Sequence, residues 1–124
     1  MATLEQLGSE KYVLLTTFRK DGRAVGTPIW VVPDGDGIAF WTVKASGKVK
    51  RIRNNGRVTV QACDIQGKHL RGDVVEGEAR FGDADDRKRV SAALRRKYGI
   101  VGRLSLIGSR IRRGAEGTLI ILVK

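Results

Sequence analysis

Residues 12–32 read YVLLTTFRKDGRAVGTPIWVV, with an apolar run rich in β-branched and aromatic residues on each side of Asp21-Gly22. An Asp-Gly pair between two such runs is a strong hairpin signal. A second turn cluster, PDGDG at 33–37, leads into IAFWTV at 38–43. The stretch therefore predicts three antiparallel strands, over 12–18, 24–32 and 38–43, joined in sequence by tight turns.

The rest of the chain adds three strand-like segments and two helical ones. The strands are predicted at 57–63, 68–81 and 118–123. Ser46 as N-cap and the Asn54-Asn55-Gly56 end bound a helix over 46–55. Asp83 and Gly99 bound a second helix, and residues 100–116 fit either a short amphipathic helix or a loop.

This pattern predicts a mainly β fold, since six antiparallel strands dominate and the βαβ alternation of a doubly wound fold is missing. Closing such a sheet is how antiparallel structures avoid exposed edges. We therefore expect a small closed or half-closed six-stranded barrel with two or three short helices. At 124 residues the chain is predicted to form a single domain, 1–124.

Composition narrows the class of protein. No apolar run approaches the roughly 20 residues that a bilayer span needs, so no membrane insertion is expected. The N-terminal segment lacks the basic start and apolar stretch of a secretory signal, and Cys63 is the single cysteine. A reducing cytoplasm is therefore the expected location.

The positive charge is unevenly distributed. The net charge is +11, and residues 44–124 hold 20 basic and 8 acidic residues, a net charge of +12. Such a field attracts nucleic acids, acidic membrane surfaces or anionic small molecules, and does not by itself choose among them.

Few side chains are suited to protein-borne catalysis. One histidine, His69, and one cysteine cannot supply the ligands of a typical zinc site, so no metal site is predicted. His69, placed in a predicted strand, is interpreted as a surface or core-edge residue, and Cys63 as a small buried apolar group. Nucleophile-elbow, phosphate-loop and dinucleotide motifs are absent. If the protein is an enzyme, we expect a cofactor to carry the chemistry, and no catalytic residue is assigned.

An anion site is predicted where the strand ending at residue 43 leads into the helix of 46–55. The free N–H groups and the positive dipole end of a helix start stabilise a phosphate. The candidate residues are Thr42, Lys44, Ser46, Lys48 and Arg51. The alternative is a basic helix face that only interacts with solvent.

Two residues interrupt the preceding strand. Gly26 weakens a strand and Pro28 removes a ladder hydrogen bond. Close approach of a ligand to this backbone would explain both residues. A β-bulge on an edge strand is the alternative explanation.

The order of three blocks resembles the pyridoxamine 5'-phosphate oxidase-like split-barrel family, and in particular its small members that use the deazaflavin coenzyme F-420. The blocks are TTFRKDGRAVGTPIWVV, FWTVKASGKVKRIRNNGRV and VEGEARFGDADDRKRVSAALRRKYG. The resemblance covers residues 8–124. It implies a six-stranded split β-barrel that forms a homodimer, with two cofactor clefts at the subunit interface.

The resemblance also implies which residues bind the cofactor. Those matching the strand beside the isoalloxazine-like ring are Gly26, Thr27, Pro28, Ile29 and Trp30. Those matching the phosphate-holding segment are Thr42, Lys44, Ser46, Lys48 and Arg51. Gly56 stands where relatives commonly have proline. Ser46 stands where some relatives place a basic residue, which implies that phosphate binding relies more on Lys44 and Lys48.

The expected activity is hydride transfer from reduced F-420 to an electron-poor organic acceptor. FMN also fits a ring-plus-phosphate pocket, so a flavin enzyme or flavin-binding protein of the same fold is the alternative. The acidic tail of F-420 needs a basic groove, for which the candidates are Lys48, Lys50, Arg51, Arg53 and Arg57. A nucleic-acid-binding module is a third hypothesis, although the seven aromatic residues show no regular stacking pattern near the basic runs.

Overall fold

The computed structural model describes residues 3–113 and 117–124, which form seven strands and three helices. The helices are α1 (Leu4–Leu7), α2 (Gly47–Asn54) and α3 (Ala84–Arg113). The strands are β1 (Tyr12–Phe18), β2 (Ala24–Trp30), β3 (Val32–Asp34), β4 (Gly37–Val43), β5 (Arg57–Cys63), β6 (Arg71–Phe81) and β7 (Thr118–Val123). The mainly β, antiparallel class predicted from the sequence is confirmed.

The strands form one sheet in the order β2-β1-β5-β6-β7-β4-β3, in which every pairing is antiparallel. The predicted Asp21-Gly22 hairpin joins β1 to β2, where Gly22 has a φ of 90° that suits glycine. The connection closes with a 2.9 Å hydrogen bond from Arg19 N to Arg23 O.

The predicted strand over 24–32 is wrong in one respect, because Val31 divides it and a seventh strand results. The Val31 N–H donates to the Tyr98 hydroxyl at 3.0 Å, and the Val31 carbonyl accepts from Lys97 Nζ at 2.6 Å. Helix α3 therefore takes the two backbone groups that a continuous ladder would use. Pro33 and Asp34, predicted in a turn, belong to β3.

The strand predicted from residue 68 begins instead at Arg71, which leaves His69 in a loop. Asp64 organises that loop, since its carboxylate accepts from the backbone N–H of Gln66 and of Lys68, both at 2.8 Å, and lies 2.6 Å from His69 Nδ1. His69 has a φ of 52°, outside the extended region.

The β-bulge considered for Pro28 is not present. The register between β1 and β2 runs without a shift from Tyr12 opposite Trp30 to Phe18 opposite Ala24. Pro28 lies opposite Leu14 on an edge strand, where the lost hydrogen bond costs least. The irregularity in this part of the sheet lies between Val60 and Ala62, where β5 pairs with β6.

Both helices predicted from the sequence are present. Helix α2 follows Ser46, whose extended backbone suits an N-cap although its side chain makes no capping hydrogen bond. In α3, Asp83 and Asp86 each accept from the other's backbone N–H at 2.9 Å. The predicted stop at Gly99 is a break, with φ 62° and ψ −142°, after which helical backbone continues to Arg113. Of the ambiguous stretch 100–116, residues 114–116 lie outside the described residues.

Strand β7 contributes alternate residues to two apolar cores. Ile121 and Val123 belong to one core, together with Leu15 and Phe40. Ile120 and its alternate neighbour Leu122 belong to a second core under α3. A strand buried on both faces needs an unbroken apolar run, which TLIILV provides.

The other side of the second core comes from α3, whose predicted apolar stripe packs there: Val90, Ala93, Leu94 and Tyr98. Cys63 is buried as predicted, with 2% of its surface exposed. Within the described ranges, no helix is long and apolar enough to cross a bilayer.

Candidate functional site

A cavity of about 240 Å³ lies where β2, β4, β7 and the start of α2 meet. Its lining residues are Thr27, Pro28, Ile29, Trp41, Thr42, Val43, Lys48 and Thr118. The two segments that the sequence singled out, the interrupted strand and the strand-to-helix junction, are thus placed against each other. Five of the candidate residues line this cavity, namely Thr27, Pro28, Ile29, Thr42 and Lys48.

Arg51 is fixed beside the first turn of α2. Its Nε donates to the hydroxyl of the fully buried Thr17 at 2.6 Å. Its guanidinium lies so close to the helix start that a Cβ at Gly47 would be 2.7 Å from Arg51 Nη1. Because Gly47 has no side chain, the guanidinium can occupy this space. Arg51 therefore lies beside the free backbone N–H groups at the start of the helix.

Lys48, Arg51 and Arg19 are cations that lie close enough together to destabilise one another's charged forms. Burial lowers the pKa of Lys48, and the neighbouring Arg51 lowers it further. Burial also lowers the pKa of Arg51, with Arg19 adding to the effect. Among the described residues, none of these three cations forms an ion pair with a carboxylate. A bound anion would relieve this repulsion.

Two buried polar atoms near this junction have no hydrogen-bond partner among the described residues. They are the indole Nε1 of Trp41 and the hydroxyl of Ser46. Buried polar groups are normally paired, so each unpaired group calls for an explanation. Polar atoms of a ligand at this junction would provide the missing partners.

Arg87 of α3 supports the wall of the cavity from behind. Its guanidinium donates to the hydroxyl of Thr118 at 2.6 Å and to the Thr118 carbonyl at 2.5 Å. It also lies 5.3 Å from the centre of the Trp41 ring. Arg87 thereby fixes two lining residues without lining the cavity itself.

Sequence reasoning missed five residues of this region: Thr17, Arg19, Trp41, Arg87 and Thr118. A signal existed for Trp41, which immediately precedes Thr42 in the strand that was singled out. The others come from β1, the hairpin after it, α3 and β7, and only the tertiary fold brings them to the cavity lining or to the residues that support it.

Other candidate residues lie elsewhere. Trp30 lines a different cavity. Lys44 and Lys50 are exposed to solvent. Gly26 lies against the Leu14 side chain, since a Cβ at this position would be 3.1 Å from it.

Two of the groove candidates already have partners. Arg57 pairs with Glu76 at 2.7 Å and lies 5.0 Å from the centre of the Phe18 ring. Arg53 lies 5.5 Å from the centre of the Phe81 ring. These contacts reduce what either arginine can offer an acidic ligand.

Over the described ranges, no group of three or more His, Cys, Asp or Glu side chains is arranged to hold a metal ion. His69, whose side chain is 83% exposed, lies with its Nδ1 2.6 Å from a carboxylate oxygen of Asp64. The groups that the described residues place at the junction are cations, hydroxyls and an indole N–H, which are of the kind that binds an anionic ligand.

In a comparison with protein families, residues 2–119 match a family described as pyridoxamine 5'-phosphate oxidase. No curated protein matches the chain.

Solved structures with the same fold include proteins of different described function. The heme storage protein HutZ of Vibrio cholerae superposes with a TM-score of 0.72 at 13% identity, covering 93% of this chain and 81% of HutZ. An F-420-H2 dependent reductase, FDR-A, gives 0.64 at 17% identity, covering 90% and 93%. A FAD-binding protein of Mesorhizobium loti gives 0.61 at 16% identity, covering 94% and 80%. At these identities the likeness is one of fold.

Proposed function

The chain belongs to the pyridoxamine 5'-phosphate oxidase family and has its split-barrel fold, and from this premise we propose that it is an F-420-dependent reductase. It would bind the coenzyme in the cavity between β2 and the start of α2, and it would reduce an electron-poor organic acceptor.

The observation that carries this proposal is the set of cations around the start of α2. Lys48 lines the cavity, Arg51 is anchored by Thr17, and Arg19 is close enough to lower the pKa of Arg51. With no carboxylate paired to any of them in the described ranges, the set is suited to a phosphate. The unpaired Ser46 hydroxyl adds a donor at the same helix start.

The strand side of the cavity suits the ring system. Thr27, Pro28 and Ile29 offer an edge-strand backbone along one side, and Trp41 lines the cavity as well. When bound, reduced F-420 supplies a hydride from C5. The chain's own part is to hold the phosphate, orient the ring between β2 and β4, and exclude water from it. The proton that the reduced product also needs is assigned to solvent.

The choice of F-420 over FMN rests on charge. The tail of F-420 carries several carboxylates, and the net charge of +12 over residues 44–124 would attract them. Binding of FMN does not require so large an excess of positive charge. FMN remains the second candidate, because it presents the same combination of a ring and a phosphate and a protein of this fold is described as FAD-binding.

We also propose that the protein is a homodimer whose partner subunit closes the cofactor cleft. The cavity of about 240 Å³ is small for a coenzyme with a tricyclic ring, which is consistent with a second chain completing it. Light scattering should give a mass of about twice 13.6 kDa. A monomer at micromolar concentration would contradict this part of the proposal.

A titration compares the cofactors directly. Purified protein added to F-420 should quench its fluorescence at micromolar or lower concentration, with weaker binding of FMN and none of a short DNA duplex. Yellow protein obtained directly from expression, with tight FMN binding, would favour the second candidate. Absence of F-420 binding would refute the proposal.

A further inference from the structure

A second, larger cavity of about 450 Å³ lies near the opposite end of β1 from Thr17. Its lining residues are Ser9, Lys11, Tyr12, Trp30, Lys97 and Tyr98. They come from the segment before β1, from the first residue of β1, from the last residue of β2 and from α3. The cofactor site described above uses none of them.

Three aromatic rings form the wall of this cavity. The Trp30 and Tyr98 rings are stacked, with centres 4.2 Å apart and planes 7° from parallel. Tyr12 lies 6.5 Å from Trp30 at a tilt of 57°. The Tyr98 hydroxyl accepts from the Val31 N–H at 3.0 Å and lies 2.7 Å from the Lys11 carbonyl, to which it donates. The wall is therefore fixed before any ligand arrives, which favours flat, conjugated molecules.

Lys97 contributes a positive charge that is held in place. Its ammonium donates to the carbonyls of Gly8, Glu10 and Val31 at 2.6, 2.5 and 2.6 Å. All three N–H donors are thereby used, so the amine is bound as an ammonium rather than free to act as a nucleophile. Its role at this cavity is electrostatic.

The charged residues that line the cavity are basic, although the neighbouring Glu10 acts electrostatically on Lys97 and pairs with Arg71. None of the described residues that line it is acidic, and the exposed Lys11 forms no ion pair in the described ranges. An adjoining depression of about 490 Å³ shares Ser9 and Lys97 and adds Arg96. Aromatic walls with cations at the rim complement a flat molecule that carries an anionic group.

Consecutive residues of β2 line the two cavities. Ile29 lines the proposed cofactor site, and the next residue, Trp30, lines the aromatic cavity. We propose that the aromatic cavity binds the hydride acceptor, a flat conjugated carboxylate, an inference that rests on the proposed function for its catalytic meaning. The acceptor's electron-poor carbon gains the hydride, its π electrons move to the neighbouring atom, and that atom takes a proton from solvent. The coenzyme is oxidised by the same two electrons.

The two tryptophans allow each cavity to be observed separately, because Trp30 lines one and Trp41 the other, and the chain has no third. Protein labelled with 5-fluorotryptophan gives two fluorine NMR resonances, and Trp41→Phe identifies that of Trp30. We expect 4-nitrobenzoate, a flat electron-poor carboxylate, to shift the Trp30 resonance saturably without cofactor and to leave that of Trp41 nearly unmoved. F-420 should shift the Trp41 resonance.

Charge variants test the recognition of the carboxylate. Lys11→Ala should weaken 4-nitrobenzoate binding by about two- to five-fold, the range for one exposed ion pair. Binding of the uncharged methyl ester should not change. Lys88→Ala is the matched control, since Lys88 is an exposed lysine on α3 that does not line the cavity.

Failure of this inference is distinguishable from failure of the proposed function. If 4-nitrobenzoate shifts neither resonance, or only that of Trp41, the acceptor cavity is wrong even where F-420 binds. If F-420 shifts only the Trp30 resonance, this cavity is the cofactor site and the inference is overturned. Saturable 4-nitrobenzoate binding at Trp30 without any F-420 binding would retain the cavity and refute the reductase.

Discussion

Basic side chains that look alike in the sequence differ sharply in their surroundings. Arg51 is anchored by the Thr17 hydroxyl and has no carboxylate partner in the described ranges, whereas Arg57 already pairs with Glu76. The free energy available to a bound anion depends on this difference, because a cation that already has a partner must exchange it. We therefore propose Lys48 and Arg51 as the main residues that bind the phosphate of the cofactor.

Replacing Lys48 tests that claim at a single position. Lys48→Ala should weaken F-420 binding by about 1.5 to 3 kcal/mol, the scale for hydrogen bonds to charged groups, as measured by fluorescence titration. Lys88→Ala, which removes the same charge from an exposed position on α3, should change affinity by less than about 0.5 kcal/mol. Equal losses in both variants would mean that only net charge matters and that the phosphate lies elsewhere.

Asp64 provides a prediction about pH that is independent of any ligand. The hydrogen bond with His69, followed by those from the loop N–H groups, lowers the pKa of Asp64 from 3.8 to about 2. The carboxylate's stabilisation of the loop is therefore present above pH 3.8 and is lost as the pH falls through about 2. An NMR titration of the carboxyl carbon should show that midpoint, and His69→Ala should raise it. A wild-type midpoint near 3.8 would contradict the observed loop.

Among the secondary-structure elements, the start of α3 is the most clearly specified by sequence. Asp83 and Asp86 cap each other's backbone N–H, so Asp83→Ala should lower the free energy of unfolding by about 0.5 to 2 kcal/mol in urea denaturation. Asp85→Ala removes an exposed carboxylate from the same turn and should cost only about 0.3 to 1 kcal/mol through the helix dipole. If Asp85→Ala costs as much as Asp83→Ala, the cap is not the source of stability.

The elements that the sequence predicted well are those whose signals are local. The hairpin at Asp21-Gly22, the helix of 47–54 and the buried run TLIILV depend on residues within each segment. The division at Val31 depends on Lys97 and Tyr98, which are 66 and 67 residues away. No pattern in the strand itself could have shown that α3 would take its hydrogen bonds.

The candidate site divides in the same way. Thr27 to Ile29, Thr42 and Lys48 could be named because strand interruptions and helix starts are visible in sequence, and they line one cavity. The contact of Arg51 with Thr17 and that of Arg87 with Thr118 join distant segments. Trp30, grouped with its strand neighbours by the resemblance, lines the aromatic cavity, where it stacks on Tyr98 of α3.

On the scale of the whole molecule, the sheet lies between two apolar cores. One core packs against one face of β7 and the other lies under α3, so both faces of β7 are buried. The proposed cofactor and acceptor cavities both use β2, which is an edge strand of the sheet. An edge strand leaves backbone groups for a ligand or a second subunit, which is why we propose both sites at this edge rather than in the interior.

The final prediction follows from the net charge of the whole chain and distinguishes F-420 binding from FMN binding. The exposed basic residues act on the acidic tail through solvent, where interactions are screened over a Debye length of about 10 Å at 0.1 M salt. Raising NaCl from about 50 to 500 mM should therefore weaken F-420 binding more steeply than FMN binding, whose phosphate meets partly buried cations. Lys50→Ala should reduce F-420 affinity by about 0.2 to 1 kcal/mol at low salt and leave FMN affinity unchanged, since Lys50 is exposed and, unlike Arg57, forms no ion pair among the described residues. Titrations of both cofactors against wild type and this variant measure the effect. Parallel salt slopes for the two cofactors would show that the basic excess does not contact a tail, and would shift the assignment to FMN.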